Sequence, residues 1–295
     1  YLDMIQGQEP AYTPVWFMRQ AGRSQPKYRE IKKTHSLFDI TREPELCAYV
    51  TNLPVEEYGL DAAILYKDIM SPMAAIGVEV KLVPGKGPVF ERPIQRAADL
   101  DQIGTFDGSK VSYIADTIKL LTSEVLDVPL IGFCGGPFTI ASYLVEGGPT
   151  KSYNKTRGLM VSQSDLWDDL MNRLADMSID YLSMQVEAGA NALQIFDSWI
   201  GAVSAEQYHA HIFSHMDKII STMKAKYPHI PLAMNGVGNA HLVEEWSQLP
   251  IDVLALDWRC PIDRLGQLGI DKVVQGNLDP AFLYAPTHVL DKELD

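Results

Sequence analysis

Cysteine is scarce. The 295 residues hold three, Cys47, Cys134 and Cys260, far apart and without a C-x-x-C pair. An odd, scattered set does not make a disulfide framework, and it suits a reducing cytoplasm. Several nucleotide and hydrolase signatures are also missing. The chain has no G-x-x-x-x-G-K-[ST], no G-x-G-x-x-G opening a helix after the first apolar run, no G-x-S-x-G and no H-E-x-x-H. "GVG" at Gly236–Gly238 is too short to mean a nucleotide. Positive charge is in deficit, with a net charge of −13. That excludes a spread-out basic face for nucleic acid or anionic membrane, though not a local basic pocket. The long uncharged run, Val128 to Val145, is cut by Gly132, Gly135, Gly136 and Pro137. It is expected to form a strand, a loop and a helix rather than a membrane span.

What is present is alternation. Short apolar runs lead into longer helical patterns. Expected strands are Val15–Met18, Ala62–Tyr66, Leu130–Phe133, Ala192–Phe196, Leu232–Met234, Val253–Leu256 and Val273–Gln275. Expected helices include Pro44–Tyr58, Tyr113–Leu126, Asp165–Ala188, Ala205–Lys226, Leu242–Gln248 and Ile262–Leu268. Leu174, Met177, Tyr181 and Met184 show the three-and-four spacing of a buried helix face. The strands are nearly continuous apolar runs, as in a parallel sheet covered on both faces. A hairpin is expected within Val78–Val89. With 46% hydrophobic residues and no low-complexity linker, residues 1–295 read as a single α/β domain. Seven strands are legible where a (β/α)8 barrel needs eight. The closing "HVLDKELD" looks like a helix beginning. The expected fold is such a barrel, with its last unit absent from this sequence.

In these barrels the chemistry gathers at the C-terminal strand ends. Here those ends carry Arg19 and Arg23, then Tyr66, Lys67 and Asp68. Tyr143 follows "GFCGGPFTIASY", and then come Asp197 and Ser198, Asp257 and Arg259, and Asn277 and Asp279. About half of these read equally well as turn or cap residues. Residues 19 to 33 carry a local net charge of +5, leaving −18 on the rest. Arginine forks match carboxylate or phosphate, so Arg19 and Arg23 read as an anion site. Lys32 and Lys33 read as a solvated helix face. Asp68 follows the apolar "AAILYK", and two roles stay open: capping the next turn at Ser71 and Pro72, or facing the pocket. His209, His211 and His215 lie in one helical stretch without a third ligand type beside them, and no metal is assigned.

The chain resembles the uroporphyrinogen decarboxylase family throughout its length. The blocks that carry the resemblance are "TPVWFMRQAGR", "DAAILYKDIM", "GFCGGPFTIASYLVEGG" (usually with Ala where Gly136 stands), "QIFDSW", "LALDWR" and "VQGNLDP", in the family's order. The resemblance implies a (β/α)8 TIM barrel, usually a homodimer, active in haem and porphyrin synthesis. It implies a carboxy-lyase that takes the four acetate carboxylates from uroporphyrinogen III without metal or cofactor. The motif matches put substrate contacts at Arg19, Arg23, Asp68, Tyr143 and Ser198. Gln20, Ala21 and Gly22 shape the same stretch, and Asp68 and Arg19 are the catalytic candidates.

The family also uses a His in a "GHG" stretch that has no counterpart here. The sequence is therefore expected to belong to a longer product, short of its last strand and of a few N-terminal residues. By itself this stretch is expected neither to close its barrel nor to turn over. Two rival functions compete with this reading. Corrinoid-dependent methyltransferases of the same superfamily carry His-x-Cys and a later Cys for zinc, where "LAMNGVG" (Leu232–Gly238) has neither. A non-catalytic tetrapyrrole-binding homologue is the other alternative.

Overall fold

Six apolar runs between Ala62 and Gln275 meet in one parallel sheet. The structure, a computed structural model, describes residues 1–18, 21–83 and 85–294. In chain order, α1 (Leu2–Ile5), α2 (Pro26–Thr34), α3 (Leu37–Arg42) and α4 (Pro44–Tyr58) precede β1 (Ala63–Ile64). A hairpin follows, β2 (Lys81–Val83) and β3 (Gly87–Val89), antiparallel as expected. Next come α5 (Ser112–Leu120), β4 (Leu130–Gly135), α6 (Pro137–Glu146), α7 (Asn154–Ser162), α8 (Ser164–Glu187) and β5 (Ala192–Asp197). The chain continues through α9 (Ala205–His211), α10 (Phe213–Lys226), β6 (Leu232–Gly236), α11 (Val243–Ser247) and β7 (Val253–Ala255). It reaches α12 (Asp263–Gln267), β8 (Val273–Gln275) and α13 (Thr287–Leu294).

The main sheet runs β1-β4-β5-β6-β7-β8, every pair parallel. Each of the six residues of β4 is buried, with α8 packed against the strand. Local signals set the helix ends. Ser36 and Asp39 form a capping box on α3, and Ser204 and Gln207 form one on α9. Pro44 opens α4, and Gly59 at φ +63° closes it in the left-handed region.

The sheet is curled. Strands β5 and β8 are three apart, about 14 Å in a flat sheet. Yet Gln275 Nε2 of β8 donates to Gln194 Oε1 of β5 at 3.3 Å. Trp16, next to a residue paired with Asp61 just before β1, donates from Nε1 to Gln275 Oε1 at 3.1 Å. Both contacts require the edges to bend toward each other. The result is an α/β half-barrel of six parallel strands with a polar chain of Trp16, Gln275 and Gln194 inside it.

One expected strand is corrected. Val15–Met18 is extended but belongs to no ladder. Its fixed backbone contacts are to one residue: Asp61 N donates to Val15 O (2.9 Å), and Val15 N donates to Asp61 Oδ2 (2.7 Å). A carboxylate takes the place of a neighbouring strand. Phe17 is consequently half exposed, at 50%. The helix expected over Ala205–Lys226 is interrupted at Ile212, between α9 and α10. There the Trp167 indole donates to the His211 carbonyl at 2.8 Å, occupying an acceptor that a continuous helix would use itself.

Candidate active site

β1 pairs with β4 only at Ala63↔Leu130 and Ile64↔Ile131. Two residues further along β4, Phe133 N–H and C=O still need partners. The Gln185 amide of α8 meets both, at 2.9 Å each. Gly132 makes room, since a Cβ there would lie 2.6 Å from Gln185 Oε1. The ladder is thus completed from behind, and the chain after β1 is free to splay away. A cleft of about 460 Å³ opens at the C-terminal ends of β1, β4 and β5.

The cleft walls are aromatic and its mouth is polar. Phe133 and Phe196 meet edge to face, 5.3 Å between centroids. Opposite them, the hydroxyls of Tyr28 (on α2) and Tyr66 are 2.6 Å apart. Met18, Ala21, Lys32, Asp68 and Ser198 also line the cleft. Tyr28 and Lys32 stand four apart on one face of α2, and Lys32, solvent-exposed as expected, also borders the cleft.

Asp68 is not the cap of the helix that follows it; it ties the turn before that helix. Its Oδ1 accepts from Met70 N at 2.7 Å and its Oδ2 from the Ser71 hydroxyl at 3.1 Å, which ties down the turn leading into Ser71–Ile76. It lines the cleft as well. Burial pushes its carboxyl above the usual range, against the pull of Met70 N–H and the Ser71 hydroxyl. Neighbouring Lys67 also lines the cleft, but its ammonium is anchored toward the helix layer. Its ammonium donates to the Thr41 carbonyl in the last turn of α3 and lies 4.4 Å from the Tyr113 ring centre. Burial lowers its pKa to about 8, opposed by Cys47 and Asp68.

The other expected site residues divide. Ala21 and Ser198 join Asp68 in the cleft lining, and Gly22, part-buried, donates from N to Gln25 Oε1. Arg19 and Gln20 lie outside the described residues; their neighbours Met18 and Ala21 line the cleft. Arg23 is exposed, and its carbonyl accepts from Arg29. Tyr143 stacks on Trp199, and burial, then the Tyr153 and Asp68 charges, raise its pKa. Three strand-end residues are structural: Asp257 accepts from Arg259, Asn277 donates to Cys260 O, and Asp279 caps Ala281 N. His209 pairs with Glu245 and His215 with Asp168, on separate helices. Among the described residues no three His, Cys, Asp or Glu side chains cluster as metal ligands would.

A curled parallel sheet with a part-buried carboxylate and aromatic walls at its C-terminal ends defines an α/β-barrel protein built to bind a sizeable small molecule there. A family model described as Uroporphyrinogen decarboxylase (URO-D) matches residues 1–295. Uroporphyrinogen decarboxylases of Staphylococcus aureus, strains USA300 / TCH1516 and Newman, are each 55% identical over 294 residues, covering 99% of this chain and 85% of theirs. Among solved structures, a methyltransferase from Methanosarcina mazei superposes with a TM-score of 0.73 at 20% identity, over 94% of this chain and 81% of that one. At that identity the likeness is one of fold. The chain belongs to the uroporphyrinogen decarboxylase family.

Proposed function

We propose that this chain decarboxylates uroporphyrinogen III, giving coproporphyrinogen III and four CO2 in porphyrin and haem synthesis. Family membership and the 55% identical relatives support the activity. The observation that supports the site reading is Asp68, a part-buried carboxylate lining the cleft beside aromatic walls.

The substrate is a flexible ring of four pyrroles bearing eight carboxylates. Loss of CO2 from an acetate arm leaves an electron pair on the side-chain carbon. Protonating the adjacent ring carbon beforehand makes a cationic ring that accepts this pair. The exocyclic carbon then takes a proton, the ring carbon gives one up, and one proton has replaced one CO2. The substrate is its own electron sink, so pyridoxal or thiamine chemistry is not required. The protein supplies position, proton transfer and charge stabilisation.

Asp68 accepts hydrogen bonds from pyrrole N–H groups and stabilises the cationic ring. Phe133, Phe196, Tyr28 and Tyr66 flank the macrocycle and exclude water. Arg19, Gln20, Ala21, Gly22 and Arg23 form the arm-binding stretch, with Tyr143 and Ser198 as hydroxyl donors. Arg19 also serves in proton relay; a pH–rate profile and solvent isotope effect unchanged in Arg19→Lys would remove it from that role. The protein works in the cytoplasm as a homodimer with one catalytic domain over residues 1–295. Sedimentation of the purified chain tests the dimer.

The decisive experiment is Asp68→Asn. Turnover of uroporphyrinogen should fall about 100-fold or more while the far-ultraviolet circular dichroism stays that of the parent. Near-normal turnover would remove Asp68 from the chemistry.

A further inference from the structure

A second carboxylate, Asp197, ends β5 fully buried, and the steps above make no use of it. Its Oδ1 accepts two hydrogen bonds from one residue of α6: Thr139 N at 2.9 Å and Thr139 Oγ1 at 2.6 Å. The Thr139 hydroxyl in turn accepts from Trp199 N at 3.0 Å. Four residues along the same face of α6, Tyr143 lays its ring on the Trp199 indole, 4.1 Å between centroids and 27° between planes. One more bond, Gly136 N to Phe196 O at 2.8 Å, fastens the start of α6 to the same strand.

The consequence is a closed loop of contacts. Asp197 holds Thr139, Thr139 holds the backbone at Trp199, and Trp199 holds the ring of Tyr143. Ser198 sits between two residues that are both tied to Thr139. The geometry points to Asp197 as a positioning residue that sets Ser198 and Tyr143, the two hydroxyl donors of the site, relative to each other through Thr139. This rests on the function proposed above for those two side chains.

The arrangement is costly for a mere helix cap. Asp197 Oδ2 has no partner among the described residues. Burial raises the carboxyl to about 6, against the pull of the Thr139 hydroxyl and N–H. A Cβ at Gly136 would run into the Asp197 side chain, so the helix start and the carboxylate are packed as one unit. The titratable groups that face Asp197 are the Cys134 thiol from β4 and the Tyr208 hydroxyl from α9. Burial raises both, so neither ionises near pH 6.

The test uses the full chain with three variants: Thr139→Val, Thr139→Ser and Asp197→Asn. Thr139→Val keeps the shape and removes the hydroxyl that links both sides. It should lower kcat for uroporphyrinogen about 10-fold or more. It should also weaken the near-ultraviolet circular dichroism band that Trp199→Phe abolishes. Thr139→Ser restores the hydroxyl and should return both signals toward the parent. Asp197→Asn should remove the acid limb near pH 6 from the pH–rate profile.

Parent-like kcat and an unchanged dichroism band in Thr139→Val overturn the inference. So does a loss in Thr139→Ser equal to that in Thr139→Val, which would mark a packing role. If Thr139→Val does not fold, the pH profile of Asp197→Asn decides, and an acid limb like the parent's overturns the inference. If the parent itself does not consume uroporphyrinogen, the proposed function fails. The dichroism of the Thr139 variants still tests the clamp separately.

Discussion

The Trp16 indole donates to Oε1 of Gln275 at 3.1 Å, joining residues 259 positions apart. Gln275 passes the connection on to Gln194 at 3.3 Å, inside the curled sheet. Trp16→Phe keeps most of the packing and deletes the donor. It should cost about 1 to 2 kcal/mol in urea unfolding, because the half-buried amide oxygen loses its partner. Trp16→Phe combined with Gln275→Leu should cost less than the sum of the two singles. Additive losses would show that the bond does not hold the seam.

Lys32 belongs to the cleft lining and is solvent-exposed, as it reads in the sequence. Lys32→Gln should raise KM for uroporphyrinogen about 3-fold or more, with a smaller change in kcat, and should flatten the dependence of KM on salt. Steady-state kinetics at two ionic strengths checks this. Lys33→Gln, whose parent side chain pairs with Glu30 on the surface, should do neither.

Lys67 titrates near 8 in the folded protein against 10.5 for a free lysine. Between these values the unfolded chain holds a proton that the folded chain has released. The contribution of this group to stability therefore rises with pH across that window. Below pH 8 both states are charged, and the folded state bears the cost of burying the ammonium. Relative to Lys67→Met, the parent should gain stability from pH 8 to 10.5 by at most about 3 kcal/mol, less in proportion to the water reaching the partly exposed side chain. Urea titrations of both proteins along this series measure it; parallel curves would contradict it.

Asp197 has the opposite sign. Its folded pKa, about 6, lies above the ordinary 3.8. Between those values the folded state keeps a proton that the unfolded chain has lost, so its contribution falls as pH rises through the window. At neutral pH the buried charge costs about 3 kcal/mol relative to pH below 4. The stability of the parent minus that of Asp197→Asn should therefore drop between pH 4 and 6 and level off above.

The sheet was legible because its signal is local. β4 to β8 are short apolar runs with turn residues at their ends, and the burial of β4 to β7 is written into each run, while β8 at the sheet edge is half-buried. α4 carries its own stops, Pro44 and Gly59. What could not be read depends on distant partners. Val15–Met18 has the composition of a strand, but Asp61 ends its pairing with a side chain. The break at Ile212 is set by Trp167, 44 residues from the carbonyl it takes. In the site, the apolar "AAILYK" marked Asp68 as unusual but could not show that one carboxylate both ties a turn and lines the cleft. Asp197 looked like any strand-end acid, because its role needs Thr139, 58 positions earlier.

The basic stretch that includes α2 lies against a cleft in a protein whose remaining residues net −18. A ligand with eight negative charges is repelled by the net charge of those remaining residues and attracted over α2. Collisions are thereby sorted before any contact forms, and the ring tends to arrive with its arms toward the basic side. Dissolved ions act on this in two opposed ways: they soften the repulsion met by a wandering polyanion, and they loosen its grip once seated. Association should accordingly be fastest at an intermediate salt concentration, rather than at the lowest.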